Sequence, residues 1–109
     1  MNIVLFGGSG FLGSHVCDAL SDAGHAVTLV DLRPSPWLRP DQRMATGDLL
    51  DEKLVDEVVS GADAVFNFAG IADIGEANSR PVDTARVNVL GNVIALEACR
   101  KAGVKRYVF

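Results

Sequence analysis

The stretch that decides the fold is residues 3–13, Ile-Val-Leu-Phe-Gly-Gly-Ser-Gly-Phe-Leu-Gly, in which an apolar run breaks into glycines. The spacing is Gly7-x-x-Gly10-x-x-Gly13, and a helix-like sequence follows. Gly7 permits a tight exit from a strand, and Gly10 lets the backbone approach a pyrophosphate. Gly13 lets the helix lie close to the strand. The stretch therefore predicts a phosphate-binding turn between a buried strand and a helix.

The first turn of that helix supplies the predicted anion contacts. The free N–H groups around Phe11 and Leu12 face the ligand, with the positive end of the helix dipole behind them. A P-loop would need Lys after its last glycine, but Ser14 follows Gly13. A hydrolase nucleophile elbow would need glycine two residues after Ser9, so Ser9 is interpreted as a turn residue.

An acidic residue is expected about 20 residues beyond such a turn, where it holds an adenosine ribose. Strand-like residues 26–30 are followed by Asp31, and Leu32 adjoins it in the predicted site. A carboxylate at this position accepts from both ribose hydroxyls and repels a 2′-phosphate, so Asp31 favours NAD over NADP. Arg33 leaves NADP open, because its guanidinium could neutralise a phosphate or simply be solvated.

Apolar runs alternate with helical stretches along the chain, which indicates an α/β fold. Continuous apolar strands point to burial on both faces, as in a parallel sheet covered by helices. Right-handed crossovers then give a Rossmann-like doubly wound parallel sheet with strand order 3-2-1-4-5. The predicted strands are 2–6, 26–30, 43–46, 63–67 and 105–109, and the predicted helices are 11–23, about 51–59 and about 79–102.

Two further strand ends are predicted at the same edge of the sheet. Asp48 and Leu49 follow the third strand, where Asp48 could accept from an adenine amino group or N-cap the next helix. After the fourth strand, Phe68, Ala69 and Gly70 form a second candidate contact. The small residues there would let the backbone pass close to the ribose and pyrophosphate, or could form an ordinary turn.

The proline-rich segment 33–42 is predicted to be a stiff loop beyond the ribose-binding strand. It contains Trp37, the only tryptophan. We interpret Trp37 as the packing anchor of the loop, with cover of the adenine edge as the alternative.

Composition and charge limit the partners. The chain has 109 residues and a net charge of −4, which argues against nucleic acid or an anionic membrane. No run is long enough to span a membrane, and no basic targeting segment precedes the first strand. Cys17 and Cys99 show no metal-ligand spacing and are interpreted as reduced core cysteines, so we expect a cytoplasmic protein without a metal site.

Five ordered motifs together resemble the extended short-chain dehydrogenases/reductases, in the NAD-dependent epimerase/dehydratase family. The glycine turn, Asp31 and Gly47-Asp48-Leu49 match that family's cofactor contacts. Two motifs depart from its pattern at one position each, with Asn67 for the usual histidine and Asn92 for the usual threonine. The resemblance continues through Gly103-Val104-Lys105-Arg106-Tyr107-Val108-Phe109.

The resemblance implies NAD as cofactor, hydride transfer and a small-molecule substrate of the nucleotide-sugar class. It also implies that Asn88 supports the nicotinamide side of the cofactor, whereas the residues alone allow a simple bond to neighbouring backbone.

Family catalysis uses a Tyr-x-x-x-Lys dyad, and the only tyrosine here is Tyr107 with no lysine four residues on. We therefore expect residues 1–109 to be the NAD(P)-binding Rossmann domain of a longer enzyme, truncated before the substrate domain, with no catalytic residues and no activity alone. A non-catalytic NAD(H)-binding or sensing module, or a carbonyl reductase of the same superfamily, is the alternative.

The long predicted helix 79–102 carries two apolar faces. At 100° per residue, Val82, Val89 and Leu96 lie on one face, and Leu90 and Ala98 lie roughly opposite. Two such faces imply burial on the sheet and against something else. The resemblance implies a homodimer through this helix, and cover by a further part of the chain is the alternative.

Overall fold

The apolar runs form a five-stranded parallel sheet in the order β3-β2-β1-β4-β5 in a computed structural model that describes all 109 residues. The observed order confirms the predicted doubly wound fold. Its topological switch point lies between β1 and β4, because the strands after β1 are added on one side of the sheet and the strand after β4 is added on the other. The strands are β1 (Asn2–Phe6), β2 (Ala26–Asp31), β3 (Arg43–Thr46), β4 (Ala64–Asn67) and β5 (Arg106–Val108).

Both faces of the sheet are buried, because successive strand residues point to opposite sides. On one face, Val4, Phe6 and Val65 pack with residues of the second and last helices. On the other face, Leu5 and Leu29 pack around Cys17 of the first helix. Two apolar layers of this kind hold the sheet between helices, so that only the strand ends and the loops beyond them are free to form a site.

The helices agree with prediction in the first half of the chain and differ in the second. The helices are α1 (Phe11–Asp22), α2 (Glu52–Val59), α3 (Ile74–Ser79), α4 (Pro81–Ala85) and α5 (Asn92–Ala102), with a π-helical segment (Arg86–Gly91) between α4 and α5. The single helix predicted over 79–102 is therefore wrong in detail. The helix begins at Pro81, whose ring favours a first helical position, and it widens into the π-helical segment before α5.

The sequence pattern does not predict α3, because this helix has no buried face that would give an apolar period. None of its residues is buried, and Ile74 is 78% exposed. Its start is fixed instead by Asp73, whose carboxylate accepts a hydrogen bond from the Glu76 N–H at 2.7 Å. The N-cap at Asp73 is the one local signal for this helix.

The loop over 33–42 is anchored by polar groups, and the predicted anchoring role of Trp37 is wrong. Trp37 is 68% exposed, whereas Gln42 is buried. The Gln42 Nε2 donates to Asp18 Oδ1 at 3.0 Å and to Ser21 Oγ at 3.1 Å, both on α1. The Gln42 Oε1 accepts from the Arg39 N–H at 3.1 Å. The buried amide thus ties the loop to the last turns of α1.

The exposed side of the last helical region keeps the predicted apolar stripe, but Leu90, which was predicted to lie on the opposite face, is exposed as well. Val82, Val89, Val93 and Leu96 are all exposed, whereas Ala95 and Ala98 face the core. The homodimer expected through this stripe stays a prediction.

None of the helices is long and apolar enough to cross a membrane.

The two cysteines are free and buried, as predicted, and their chemistry can be tested. Burial raises the pKa of the Cys17 thiol to about 12, helped by the charge of Asp18, and burial raises the pKa of Cys99 to about 11. Since only the thiolate reacts and a raised pKa keeps the thiol protonated, less than about one in a hundred thiols is ionised at pH 8. We expect iodoacetamide to modify neither cysteine of the native chain at pH 8 and both in urea, as read by mass spectrometry. Rapid labelling of either cysteine without denaturant would contradict this burial.

Candidate functional site

A cleft of about 510 Å³ opens at the carboxyl edge of the sheet, where the loops after β1 to β4 meet. Open parallel sheets bind ligands at this edge, next to the topological switch. The structure brings together here most of the residues that the sequence singled out for the site. Those that line the cleft are Gly7, Gly10, Asp31, Leu32, Asp48, Leu49, Phe68, Ala69 and Gly70.

The glycine turn is packed backbone to backbone against its neighbours. Gly7 has a φ of +81°, and a Cβ there would lie 2.6 Å from the Ala69 nitrogen and 2.7 Å from the Phe68 carbonyl carbon. A Cβ on Gly13 would overlap the Gly7 carbonyl oxygen. The turn, the exit of β4 and the start of α1 can therefore approach this closely only with glycine at both positions.

The start of α1 leaves backbone donors free beside the cleft. Gly10 is the N-cap and provides no side-chain bond, and the first turn contains no acidic residue. The first intrahelical bond runs from the Ser14 N–H to the Gly10 carbonyl at 2.9 Å. The N–H groups of Phe11 and Leu12 thus lack an intrahelical partner. Both side chains are exposed, and neither residue lines the cleft, which Gly10 lines at this turn.

The Asp31 carboxylate is held at the end of β2 by two backbone donors. Its Oδ2 accepts from the Ser9 N–H at 3.0 Å, and its Oδ1 accepts from the Leu32 N–H at 2.7 Å. The Ser9 hydroxyl donates to the Arg33 carbonyl at 2.7 Å. Ser9 therefore serves as a turn residue, and it links the glycine turn to the loop after β2. The Arg33 side chain is exposed and does not line the cleft.

Asp48 and Leu49 lie at the cleft, but Asp48 does not cap α2. The Asp48 Oδ1 accepts from the Leu50 N–H at 2.9 Å in the turn after β3. The N-cap of α2 is Asp51, whose Oδ1 accepts from the Leu54 N–H at 3.2 Å. The alternative capping role of Asp48 is wrong because the helix begins later than that role requires, at Glu52.

Asn88 lies behind the cleft and holds its backbone. Its Oδ1 accepts from the Ile71 N–H at 2.8 Å, and its Nδ2 donates to the Ile71 carbonyl at 2.9 Å. A Cβ on Gly70 would lie 2.9 Å from the same Oδ1. Asn88 does not itself line the cleft, and both of its bonds go to the backbone of Ile71, which does; its expected support of the nicotinamide side stays a prediction.

One wall of the cleft carries charged residues that sequence reasoning missed. Four residues line it: Glu76 on α3, Arg80 between α3 and α4, Asp83 on α4, and Arg86 on the π-helical segment. Arg80 pairs with Glu76 at 2.9 Å and with Asp83 at 3.2 Å, and Arg86 approaches Asp83 at 3.5 Å. The spacings of three and four residues were visible in the sequence as helix pairs. The wall has no net charge, because each guanidinium faces a carboxylate.

Comparison with known proteins identifies a family. The model of the NAD dependent epimerase/dehydratase family matches residues 3–109. The UDP-glucose 4-epimerase of Klebsiella pneumoniae is 34% identical over 121 residues, covering 100% of this chain and 87% of that sequence. The UDP-glucose 4-epimerase of Bacillus subtilis is 33% identical and is covered over 36% of its length. This chain therefore spans about a third of the length of relatives such as the latter.

Solved structures share the fold closely. A UDP-glucose 4-epimerase from Thermotoga maritima, determined with UDP-glucose, has a TM-score of 0.92 and 31% identity over 98% of this chain and 36% of its own. The UDP-glucose 4-epimerase from Stenotrophomonas maltophila, with bound NAD and formylated UDP-arabinopyranose, has a TM-score of 0.91 and 30% identity. That match covers 100% of this chain and 36% of the other.

Proposed function

Because the chain belongs to the NAD dependent epimerase/dehydratase family, we propose that residues 1–109 form the NAD-binding domain of an epimerase-type oxidoreductase. One observation carries the proposal. The uncapped start of α1 and the Asp31 carboxylate lie at the same cleft, and the Ser9 N–H joins them through a 3.0 Å bond. Free backbone donors suit a pyrophosphate, and a fixed carboxylate suits a ribose diol.

The volume of the cleft and the order of its lining residues support a dinucleotide as the ligand. Its volume of about 510 Å³ lies within the range of small-molecule and cofactor sites. The pyrophosphate would lie at Gly10 and the first turn of α1, the adenosine ribose at Asp31, and the adenine beside Asp48 and Leu49. The nicotinamide half would then follow the backbone of residues 68–70.

We assign NAD rather than NADP to this site. The Asp31 carboxylate lines the cleft, and a 2′-phosphate on the ribose would meet its negative charge. The Arg33 guanidinium does not line the cleft, and the two arginines that do are paired with carboxylates. No unpaired cation in the lining therefore offsets the repulsion.

The substrate of the whole enzyme is proposed to be a nucleotide sugar. The support comes from relatives named UDP-glucose 4-epimerase and from structures of such proteins with UDP-sugars. When bound, NAD would supply the acceptor for a hydride from a hydroxyl-bearing carbon of the sugar. The residues of this chain would bind and orient the cofactor at the edge of the sheet, and the contacts to the sugar would come from other parts of the enzyme.

The tyrosine of this chain is unsuited to act as a catalytic base. The Tyr107 hydroxyl donates to Asn92 Oδ1 at 2.6 Å, and burial raises its pKa to about 12. A phenol with that pKa stays protonated at neutral pH and does not act as a base. Since the sequence contains no Tyr-x-x-x-Lys pair, we expect the 109-residue chain to bind the cofactor without turnover.

The test is a titration of the 109-residue chain with NADH, followed by fluorescence, together with an epimerase assay on UDP-glucose. We expect saturable binding at one site per chain and no turnover. Absence of NADH binding would refute the proposed function. Turnover by the pure chain would refute the prediction that it is catalytically silent.

A further inference from the structure

A partly buried polar cluster lies between β4, α5 and β5, next to the residues after β4 that line the cleft. Asn67 is only 7% exposed, and its Nδ2 donates to Asn92 Oδ1 at 3.0 Å. The same Asn92 oxygen accepts from the Tyr107 hydroxyl at 2.6 Å. On its other side, the Asn67 Oδ1 accepts from the Ala69 N–H at 3.1 Å. We call this set, Asn67, Asn92 and Tyr107, the amide relay.

Each hydrogen bond of the amide relay allows only one assignment of donor and acceptor. A backbone N–H only donates, so Asn67 must turn its oxygen toward Ala69 and its nitrogen toward Asn92. Asn92 must then present its oxygen, and Tyr107 must donate to it. The position of Asn92 thus needs an acceptor oxygen, and no bond of the relay uses the Asn92 nitrogen.

The hydrogen bonds of the amide relay end at the backbone N–H of Ala69, which packs against the glycine turn. A Cβ on Gly7 would lie 2.6 Å from the same Ala69 nitrogen, so the position of Ala69 sets the gap between β4 and the turn. Asn88, four residues before Asn92, holds Ile71 through two bonds. Two asparagines of the last helical region therefore hold both ends of the segment 69–71. Asn92 acts on Ala69 through Asn67, and Asn88 binds Ile71 directly.

We propose that Asn67, Asn92 and Tyr107 are positioning residues that fix the Ala69 backbone against the glycine turn and thereby set the affinity of the cleft for NAD(H). This inference rests on the proposed function for its effect on affinity. Its effect on the Ala69 amide does not depend on any ligand. The three side chains are coupled because Asn67 and Tyr107, which are distant in sequence, both donate to the same Asn92 oxygen.

The test compares two substitutions at Asn92 by amide hydrogen exchange in NMR spectra and by titration with NADH. Asn92→Leu keeps the volume and removes the acceptor, whereas Asn92→Asp keeps an acceptor oxygen for both donors. The Asn92 oxygen accepts two hydrogen bonds, and the loss of both corresponds to a change of about tenfold, or about threefold for each. For Asn92→Leu we expect about tenfold faster exchange at Ala69 and about tenfold weaker NADH binding. Exchange at Ile71 should stay unchanged, because Asn88 still holds that residue.

For Asn92→Asp at pH 7 we expect exchange and affinity within about twofold of the parent chain, since the carboxylate accepts both bonds. The matched control is Asn78→Leu, at a position on α3 outside the cleft lining, which should change neither quantity. If Asn92→Leu does not fold, Tyr107→Phe removes only one bond and should weaken NADH binding about threefold.

The inference is overturned if Asn92→Leu leaves exchange at Ala69 unchanged, or if Asn92→Asp is as damaging as Asn92→Leu. Failure of the parent chain to bind NADH would instead refute the proposed function. In that case the exchange rates at Ala69 and Ile71 still decide whether the amide relay positions this segment.

Discussion

Gly7→Ala is expected to abolish NADH binding and to lower the free energy of unfolding by about 3 kcal/mol or more. Two costs combine at this position. The φ of +81° strains any residue with a Cβ, and the new Cβ would lie 2.6 Å from the Ala69 nitrogen. The neighbouring atoms belong to backbone, so they can yield only if the end of β4 moves away from the glycine turn. That movement would widen the site at which the pyrophosphate is proposed to lie.

Gly24→Ala is the matched control, since Gly24 has a φ of +86° but no atom within 4 Å of the position that a Cβ would occupy. We expect this variant to lose only about 1–2 kcal/mol of stability from backbone strain and to keep the NADH affinity of the parent chain. Urea denaturation and NADH titration of both variants measure the difference. Equal stabilities, or NADH binding by Gly7→Ala at the parent affinity, would show that close packing at Gly7 is not required.

The second large effect is expected at Asp31. Asp31→Asn removes the charge that would accept from the ribose hydroxyls, and each charge-assisted bond contributes about 1.5–3 kcal/mol. We expect NADH affinity to fall at least about tenfold. NADPH affinity should not fall, because the same change removes the repulsion of the 2′-phosphate. The preference for NADH over NADPH should therefore shrink by about tenfold or more.

The control for Asp31 is Asp63→Asn, which makes the same charge change at the amino-terminal ends of the strands, opposite the cleft. The Asp63 carboxylate also accepts from backbone, from the Asn2 N–H at 2.7 Å, but it does not line the cleft. Its substitution should leave both affinities unchanged. An Asp31→Asn chain that binds NADH as the parent does would exclude Asp31 as the ribose contact.

The strands and the glycine turn were predictable because their signals are local. The neighbouring strands β1 and β4 contain unbroken apolar runs, and the burial of Leu5 and Phe6 on opposite faces follows from alternation alone. Gly7 and Gly13 were predictable for a similar reason. A strand, a turn and a helix that follow one another within about a dozen residues leave few ways to pack.

The parts that were missed depend on contacts between distant residues or on irregular helix geometry. Gln42 lies 24 residues from its partner Asp18, and Asn67 lies 25 residues from Asn92. No local sequence pattern therefore predicts either hydrogen bond. The π-helical segment (Arg86–Gly91) breaks the 100° period on which the predicted helix faces depend. The spacing of the charged pairs between Glu76 and Arg86 was visible, but their placement at the cleft depends on α3, which the sequence did not predict.

The central claim is that NAD lies across the carboxyl edge of the sheet, with its pyrophosphate at the start of α1 and its adenosine at Asp31. The most direct measurement is an NMR titration of the ¹⁵N-labelled 109-residue chain with NAD, followed at each backbone amide. We predict the largest shifts at Gly10, Phe11, Leu12 and Leu32, and none at Asn2 or Ala26 on the opposite edge. Shifts confined to that opposite edge, or no shifts at saturating NAD, would contradict the account.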